Sequence, residues 1–226
     1  MEDVQHVELE LCADGTHTLF VPALEEHYHS TRGAVQESLY VYIERGLQHC
    51  AENPCTVLEV GFGTGLNALL SAIYAIEHNR NVHFVSYEKF PLAPEIATQL
   101  NYADFVETQY APLLAKIHRA AWNEVIEITP QFTLHKIHSD LTLLPPLIPC
   151  NLIYYDAFAP GKQPEMWSEK LLSHVCSALQ ANGFLVTYCA QGQVRRTLKS
   201  FGLHIERLPG PPGKWEMLRA TKIMDI

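Results

Sequence analysis

The segment Asp156-Ala-Phe-Ala-Pro160 follows the apolar run 152–155 at once, so a carboxylate stands at the end of what reads as a buried strand. A carboxylate in that place can hold an amine by hydrogen bonds and receive or relay its proton, which makes Asp156 the candidate general base. Phe158 presents a face on which a flat base can stack, and Pro160 stiffens the loop. The second segment able to do chemistry is Val57-Leu-Glu-Val-Gly-Phe-Gly-Thr-Gly-Leu66. It carries Glu59 and then glycine at alternate positions, Gly61, Gly63 and Gly65. Glycine lacks a Cβ and tolerates positive φ, so such a turn lets backbone come close to a ligand. Glu88, at the end of the apolar run 82–87, can accept hydrogen bonds from both hydroxyls of a ribose. Asp140 ends a third run, 132–137.

These side chains need strands that end along one edge. Residues 56–60, 82–87, 132–137, 152–155 and 184–189 read as five such strands. Helices separate them. Leu66, Leu69, Leu70, Ile73 and Ile76 recur at helical spacing over 65–78. Residues 91–128 read as two or three short helices broken by prolines at 91, 94 and 112. A helix is expected from Pro164 to Gln180, stopped by Asn182-Gly183, with Trp167, Leu171, Val175 and Leu179 inward. Another spans 193–201 and stops at Gly202. Residues 203–207 and 215–220 form a closing strand pair around a Pro/Gly loop. Ahead of the glycine turn, 6–21 predicts a hairpin around Asp14-Gly15. Residues 35–49 predict a helix with Val35, Leu39, Tyr42, Ile43 and Leu47 on one face. Alternating strands and helices imply an α/β fold with a mainly parallel sheet. The expected division is an extension over 1–53 and the main domain over 54–226.

At 226 residues, 47% apolar and 18% charged, the chain fits one α/β domain with that small extension. No apolar stretch is long enough to span a bilayer, and Met1-Glu-Asp-Val lacks a signal-peptide pattern; a cytoplasmic protein without membrane contact is expected. The six cysteines show no C-x-x-C pair and no zinc spacing, and His27 and His29 have no marked third ligand, so neither disulfides nor a metal site is expected. The net charge of −9 argues against phosphate-backbone binding over the whole surface. Basic residues do thicken late in the chain, Arg195, Arg196 and Lys214 among them.

In the dinucleotide fingerprint G-x-G-x-x-G the third glycine falls one residue later than here, where Leu66 stands instead. The G-x-G-x-G spacing after Glu59 resembles the first motif of class I S-adenosylmethionine-dependent methyltransferases. Further motifs narrow the resemblance. Leu58-Glu-Val-Gly-Phe-Gly-Thr-Gly-Leu-Asn67, Tyr87-Glu-Lys-Phe-Pro-Leu92, Asp156-Ala-Phe-Ala-Pro160 with Pro164-Glu-Met-Trp167, and Gly210-Pro-Pro-Gly-Lys-Trp-Glu-Met-Leu218 occur in the order of the MnmC-type tRNA methyltransferase domain. Tyr28-His-Ser-Thr-Arg-Gly-Ala-Val-Gln-Glu-Ser38 is similar to that family's N-terminal segment. The resemblance covers most of 6–221. It implies a class I, Rossmann-like methyltransferase fold with an antiparallel last strand. It also implies methyl transfer from S-adenosylmethionine to the exocyclic amine of 5-aminomethyl-2-thiouridine at the tRNA wobble position.

The resemblance places the methyl donor against Glu59, Gly61, Gly63, Gly65, Asn67, Glu88, Lys89 and Asp140. It places the substrate amine at Asp156; on their own chemistry Phe158 and Pro160 are expected on the substrate side, and the late basic residues Arg195, Arg196 and Lys214 are expected to form the tRNA face. Many members carry a C-terminal FAD-dependent oxidase that makes the amine. A chain ending at Ile226 resembles the stand-alone methyltransferase and would depend on a separate FAD-dependent or other amine-generating enzyme. The chain departs from the pattern twice: Ala157 replaces a common glycine, and Trp215 stands where a second basic residue is common. The acidic charge keeps open methylation of a small-molecule or protein amine. From other classes, a dinucleotide-dependent oxidoreductase is disfavoured by Leu66 and the terminal strand pair, and a non-catalytic nucleoside-binding module by Asp156.

Overall fold

The computed structural model describes residues 5–223. Eight strands form one sheet, in chain order β4 Cys55–Val60, β5 Val82–Glu88, β6 Val125–Thr129, β7 Phe132–His138, β8 Cys150–Tyr155, β9 Leu179–Thr187, β10 His204–Pro209 and β11 Glu216–Thr221. Their order across the sheet is β10-β11-β9-β8-β4-β5-β7-β6. The run from β7 to β9 is parallel throughout. The order reverses at β4, which lies between β5 and β8, and a crevice opens there at the carboxyl ends of the strands. β11 pairs antiparallel with both β9 and β10, as the resemblance implies.

Helices cover both faces. α2 (Leu66–Glu77), the short α3 (Pro94–Ala97) and α4 (Ala111–Arg119) lie on one, α5 (Glu169–Ser177) and α6 (Gly192–Ser200) on the other. Adjacent residues of β8 serve opposite layers: Tyr154 packs with Leu69 and Phe84, Tyr155 with Leu171 and Leu172. The first layer also takes in Leu19, Val41 and Tyr42 from the N-terminal elements. Those elements are a hairpin of β1 (Glu8–Leu11) and β2 (His17–Val21), then β3 (Glu26–His27), α1 (Ala34–Ser38), a π-helical turn over Leu39–Glu44 and a 3-10 turn over Leu47–His49.

Four elements depart from the sequence expectation. The helix expected over 35–49 changes its winding at Leu39 and breaks at Gly46, where a Cβ would lie 2.3 Å from the Tyr42 carbonyl oxygen. The wider π turn shifts the helical phase, so Leu39 faces outward while Val35, Tyr42, Ile43 and Leu47 are buried. Residues 125–128, the end of the region expected to be helical, instead belong to β6, hairpinned to β7. The β-branched run Val-Ile-Glu-Ile-Thr suits a pleated edge. The helix expected from Pro164 splits into a 3-10 turn (Pro164–Trp167) and α5, which Ser168 caps through the Leu171 N–H at 3.4 Å. Asn182-Gly183 lies inside β9 as a bulge rather than at a helix end. Asn182 takes φ +60°, and Gly183 sits so close to strand β8 that a Cβ would be 2.8 Å from the Asn151 carbonyl oxygen. The two-residue β3 carries too little pattern to be legible in sequence.

Candidate active site

β4 delivers the chain to the crevice, and the glycines turn it away. Gly61, Gly63 and Gly65 all have positive φ, and Gly65 leads directly into α2. Gly63 has a second reason to be glycine, because a Cβ there would lie 2.9 Å from the Tyr28 ring. Glu88 fastens the turn to the neighbouring strand end. Its Oε2 accepts the Gly63 N–H at 3.0 Å and its Oε1 accepts the Phe90 N–H at 2.7 Å. Burial raises this carboxyl above its ordinary pKa, and the backbone donors pull it back.

Above the turn lies a cavity of about 310 Å³. Gly61, Gly63, Asn67, Glu88, Lys89, Asp140 and Asp156 are all in its wall. Asp140 pairs with Lys89 at 2.9 Å and accepts the Thr142 N–H at 2.8 Å. Partial burial works against ionisation of Asp140, but these bonds outweigh it and hold the carboxyl below its usual pKa. Phe90, Leu141 and Met166 supply apolar wall near these acids.

Asp156 leaves the end of β8 between this cavity and a second one, also of about 310 Å³, and belongs to both walls. Its Oδ1 accepts the Tyr42 hydroxyl at 2.5 Å and its Oδ2 accepts the Asn67 amide at 2.9 Å. Burial pushes its pKa up to about 6 against the pull of those two donors. The second cavity is walled by Tyr28, Phe158, Tyr188, Glu37 and Lys214, with Tyr42 at its base. Phe158 meets Tyr28 edge to face at 5.0 Å between centroids. Lys214 donates to Glu37 and lies 3.8 Å over the Tyr188 ring. Glu37 in turn accepts the Ser30 N–H at 2.9 Å.

Several sequence-derived site residues stand elsewhere. Glu59 is 1% exposed and absent from the cavity wall; it faces the layer of α2, where Ser86 donates to it at 2.6 Å. Gly65 caps α2 and does not face the cavity. Pro160 lies outside both walls. Arg195 and Arg196 are the fourth and fifth residues of α6, also outside both walls, with Arg196 bonded to Gln193 at 2.9 Å. Lys214 is not grouped with them: it is a wall of the second cavity, drawn in by Glu37. The residues missed from sequence are Tyr28, Glu37, Tyr42 and Tyr188. Tyr42 read only as one position of an apolar helical face, and the segment 28–38 signalled similarity without assigning a task to any side chain.

Similarity to known proteins shows the family and the fold. The family model described as S-adenosyl-L-methionine-dependent methyltransferase matches residues 100–223, more than half the chain. The chain belongs to that family. Two relatives are tRNA 5-methylaminomethyl-2-thiouridine biosynthesis bifunctional proteins named MnmC. That of Cupriavidus necator is 30% identical over 217 residues, covering 89% of this chain and 32% of its own. That of Idiomarina loihiensis is 32% identical over 217 residues, covering 86% and 35%. The methyltransferase chain thus spans about a third of the length of the curated relatives it matches. The crystal structure of MnmC2 from Aquifex aeolicus superposes with a TM-score of 0.77 at 24% identity, over 99% of this chain and 73% of that one, which shows the shared fold.

The walls suit S-adenosylmethionine, the donor the family uses. Glu88 and Asp140 bring carboxylate acceptors to the wall and Phe90, Leu141 and Met166 bring apolar surface, a mixture that fits a nucleoside. Gly61, where a Cβ would meet only the Asp156 carbonyl oxygen at 3.6 Å, leaves room in the wall for the amino-acid portion. Among the described residues no helix is long and apolar enough to cross a membrane.

Proposed function

We propose that this methyltransferase acts on the exocyclic amine of 5-aminomethyluridine, with or without the 2-thio group, at the tRNA wobble position. The observation that carries the reading is Asp156, the one carboxylate common to both cavities. The donor supplies an activated methyl on a sulfonium. The amine nitrogen forms the new N–C bond, the S–C bond breaks with its electron pair going to sulfur, and the ammonium formed or bound gives up a proton. Asp156 holds the aminomethyl group and favours that loss. Tyr42 and Asn67 hold Asp156, so positioning carries much of the rate. The aromatic walls Tyr28, Phe158 and Tyr188 suit a flat uracil ring.

In this reading the donor contacts are Gly61, Gly63, Asn67, Glu88, Lys89 and Asp140, and residues 1–53 cap a methyltransferase domain over 54–226. The amine comes from a separate activity, FAD-dependent or otherwise, and the enzyme works in the cytoplasm, where its tRNA is. The relatives' names and the matching motifs support the substrate. The net charge of −9 favours a second reading, methylation of a small-molecule or protein amine. One experiment separates them. The protein is incubated with radiolabelled donor and tRNA from cells unable to complete the modification, and the nucleosides are resolved. Label in methylaminomethyluridine supports the proposal; label-free tRNA alongside rapid methylation of small amines overturns it.

A further inference from the structure

Trp215 is 97% exposed, whereas Trp167 is buried and Trp122 packs against the core. A bare indole at the surface leaves a large apolar face in water, so its position matters. It stands one residue beyond Lys214, which is in the wall of the second cavity. The loop that carries both is braced. The Gly210 N–H donates to the Trp215 carbonyl at 3.1 Å, the Lys214 N–H to the Pro211 carbonyl at 2.9 Å, and the Lys214 ammonium to Glu37. Gly213 has φ +93°, and a Cβ on it would lie 2.8 Å from Cδ and Nε of Arg32. The exposed Arg32 is therefore laid against the same loop, just past Ser30 and Thr31 of the cavity wall. Beside the wall of the amine cavity stand an exposed indole on a braced loop and a cation from the opposite end of the chain.

We propose that this rim is the RNA-docking surface: Trp215 stacks on an unpaired base beside the target uridine, and Arg32 takes a backbone phosphate. The inference rests on the tRNA reading above and assigns its partner-binding residues. Wobble uridine lies in a single-stranded loop, and unpaired bases stack on aromatic side chains whatever their sequence. The loop backbone is braced before binding, so the ordering on binding is confined to the indole's own rotamers. The rim also answers the acidic net charge, because one stacked base and one local cation need no basic surface overall.

The test uses the full chain and a synthetic anticodon stem-loop RNA bearing 5-aminomethyluridine. Trp215→Ala is expected to raise the Michaelis constant for the RNA roughly 5- to 150-fold, the range for losing one stacked base, with donor affinity unchanged. Trp215→Phe keeps a π face and is expected to recover most of the loss. Wild-type indole fluorescence is expected to be quenched on saturation with RNA, a signal absent from Trp215→Ala. Arg32→Ala is expected to reduce the slope of log affinity against log salt by about one. An RNA Michaelis constant in Trp215→Ala equal to wild type overturns the proposal, as does an equal loss in the Phe and Ala variants. Wild-type protein that methylates this RNA in those cases leaves the tRNA reading standing. Wild-type protein that neither binds nor methylates it removes both.

Discussion

Asp156 is held on both oxygens, by Tyr42 at 2.5 Å and Asn67 at 2.9 Å, and burial sets its pKa near 6. A base must be unprotonated to act, so kcat/KM should fall as pH drops through about 6, with Asp156 as the group responsible. Tyr42→Phe removes a donor that favours the ionised form. The acid limb should then move upward by about one to two pH units, the worth of a hydrogen bond to a charged group; an unmoved limb assigns it to another group. Asp156→Asn should lower turnover by roughly 10²–10⁴-fold with the donor still bound, and turnover near wild type at neutral pH removes Asp156 as the base. Glu59 makes a different prediction. Its Oε1 and the Asn67 Oδ1 are buried without partners, Asn67 is within its hydrogen-bonding reach, and burial drives its carboxyl well above the usual pKa. Burial thus favours the neutral carboxyl at Glu59, against the pull of Ser86 and Asn67. Glu59→Gln, neutral and still a donor, should therefore keep turnover within a few-fold, while Glu59→Ala loses it; equal damage from both would show that the charge is needed.

Among the elements, the glycine turn combines positive φ at Gly61, Gly63 and Gly65 with a ring packed over one of them. Gly63 has φ +50° and lies under the Tyr28 ring. Gly63→Ala should cost about 1–2 kcal/mol from the left-handed backbone, plus whatever displacement of Tyr28 demands. Thermal unfolding and donor titration read the two separately. Tyr28→Leu in the same chain should restore donor binding if the ring is the obstacle, and failure to do so places the whole penalty in the backbone. The π turn over Leu39–Glu44 and the last hairpin act together in the same region. The first brings Tyr42 under Asp156, and the hairpin loop brings Lys214 to Glu37.

Across the whole molecule, donor-cavity walls come from residues as far apart as Gln5 and Met166. A ligand there ties distant segments together, so donor at about 100 times its dissociation constant should raise Tm by roughly 5–10 °C. NAD at the same concentration should leave Tm unchanged, and an equal rise with NAD would contradict the donor assignment. Charge also acts at this scale. α6 begins just past the carboxyl end of β9, on the edge that carries the crevice. If Arg195 and Arg196 reach phosphate, removing both should lower the salt slope of tRNA binding by about two; an unchanged slope leaves RNA contact to other residues.

The parts legible in sequence are those governed by local rules. Apolar periods of two and of about four marked most strands and α2, glycine at alternate positions marked the turn, and strand-end acids marked Glu88, Asp140 and Asp156. These depend on φ, side-chain direction and neighbours a few residues away. What only the tertiary structure decided depends on meetings across the chain. Tyr42 reaches Asp156 over 114 positions, and Lys214 reaches Glu37 over 177. No spacing rule carries such distances, so Lys214 read as a basic surface residue although a buried carboxylate draws it into the cavity. Glu59 read as a ligand contact for the converse reason. Its motif was visible, but the face of β4 it occupies points to the α2 layer, and strand alternation selects that face only once the layers are in place.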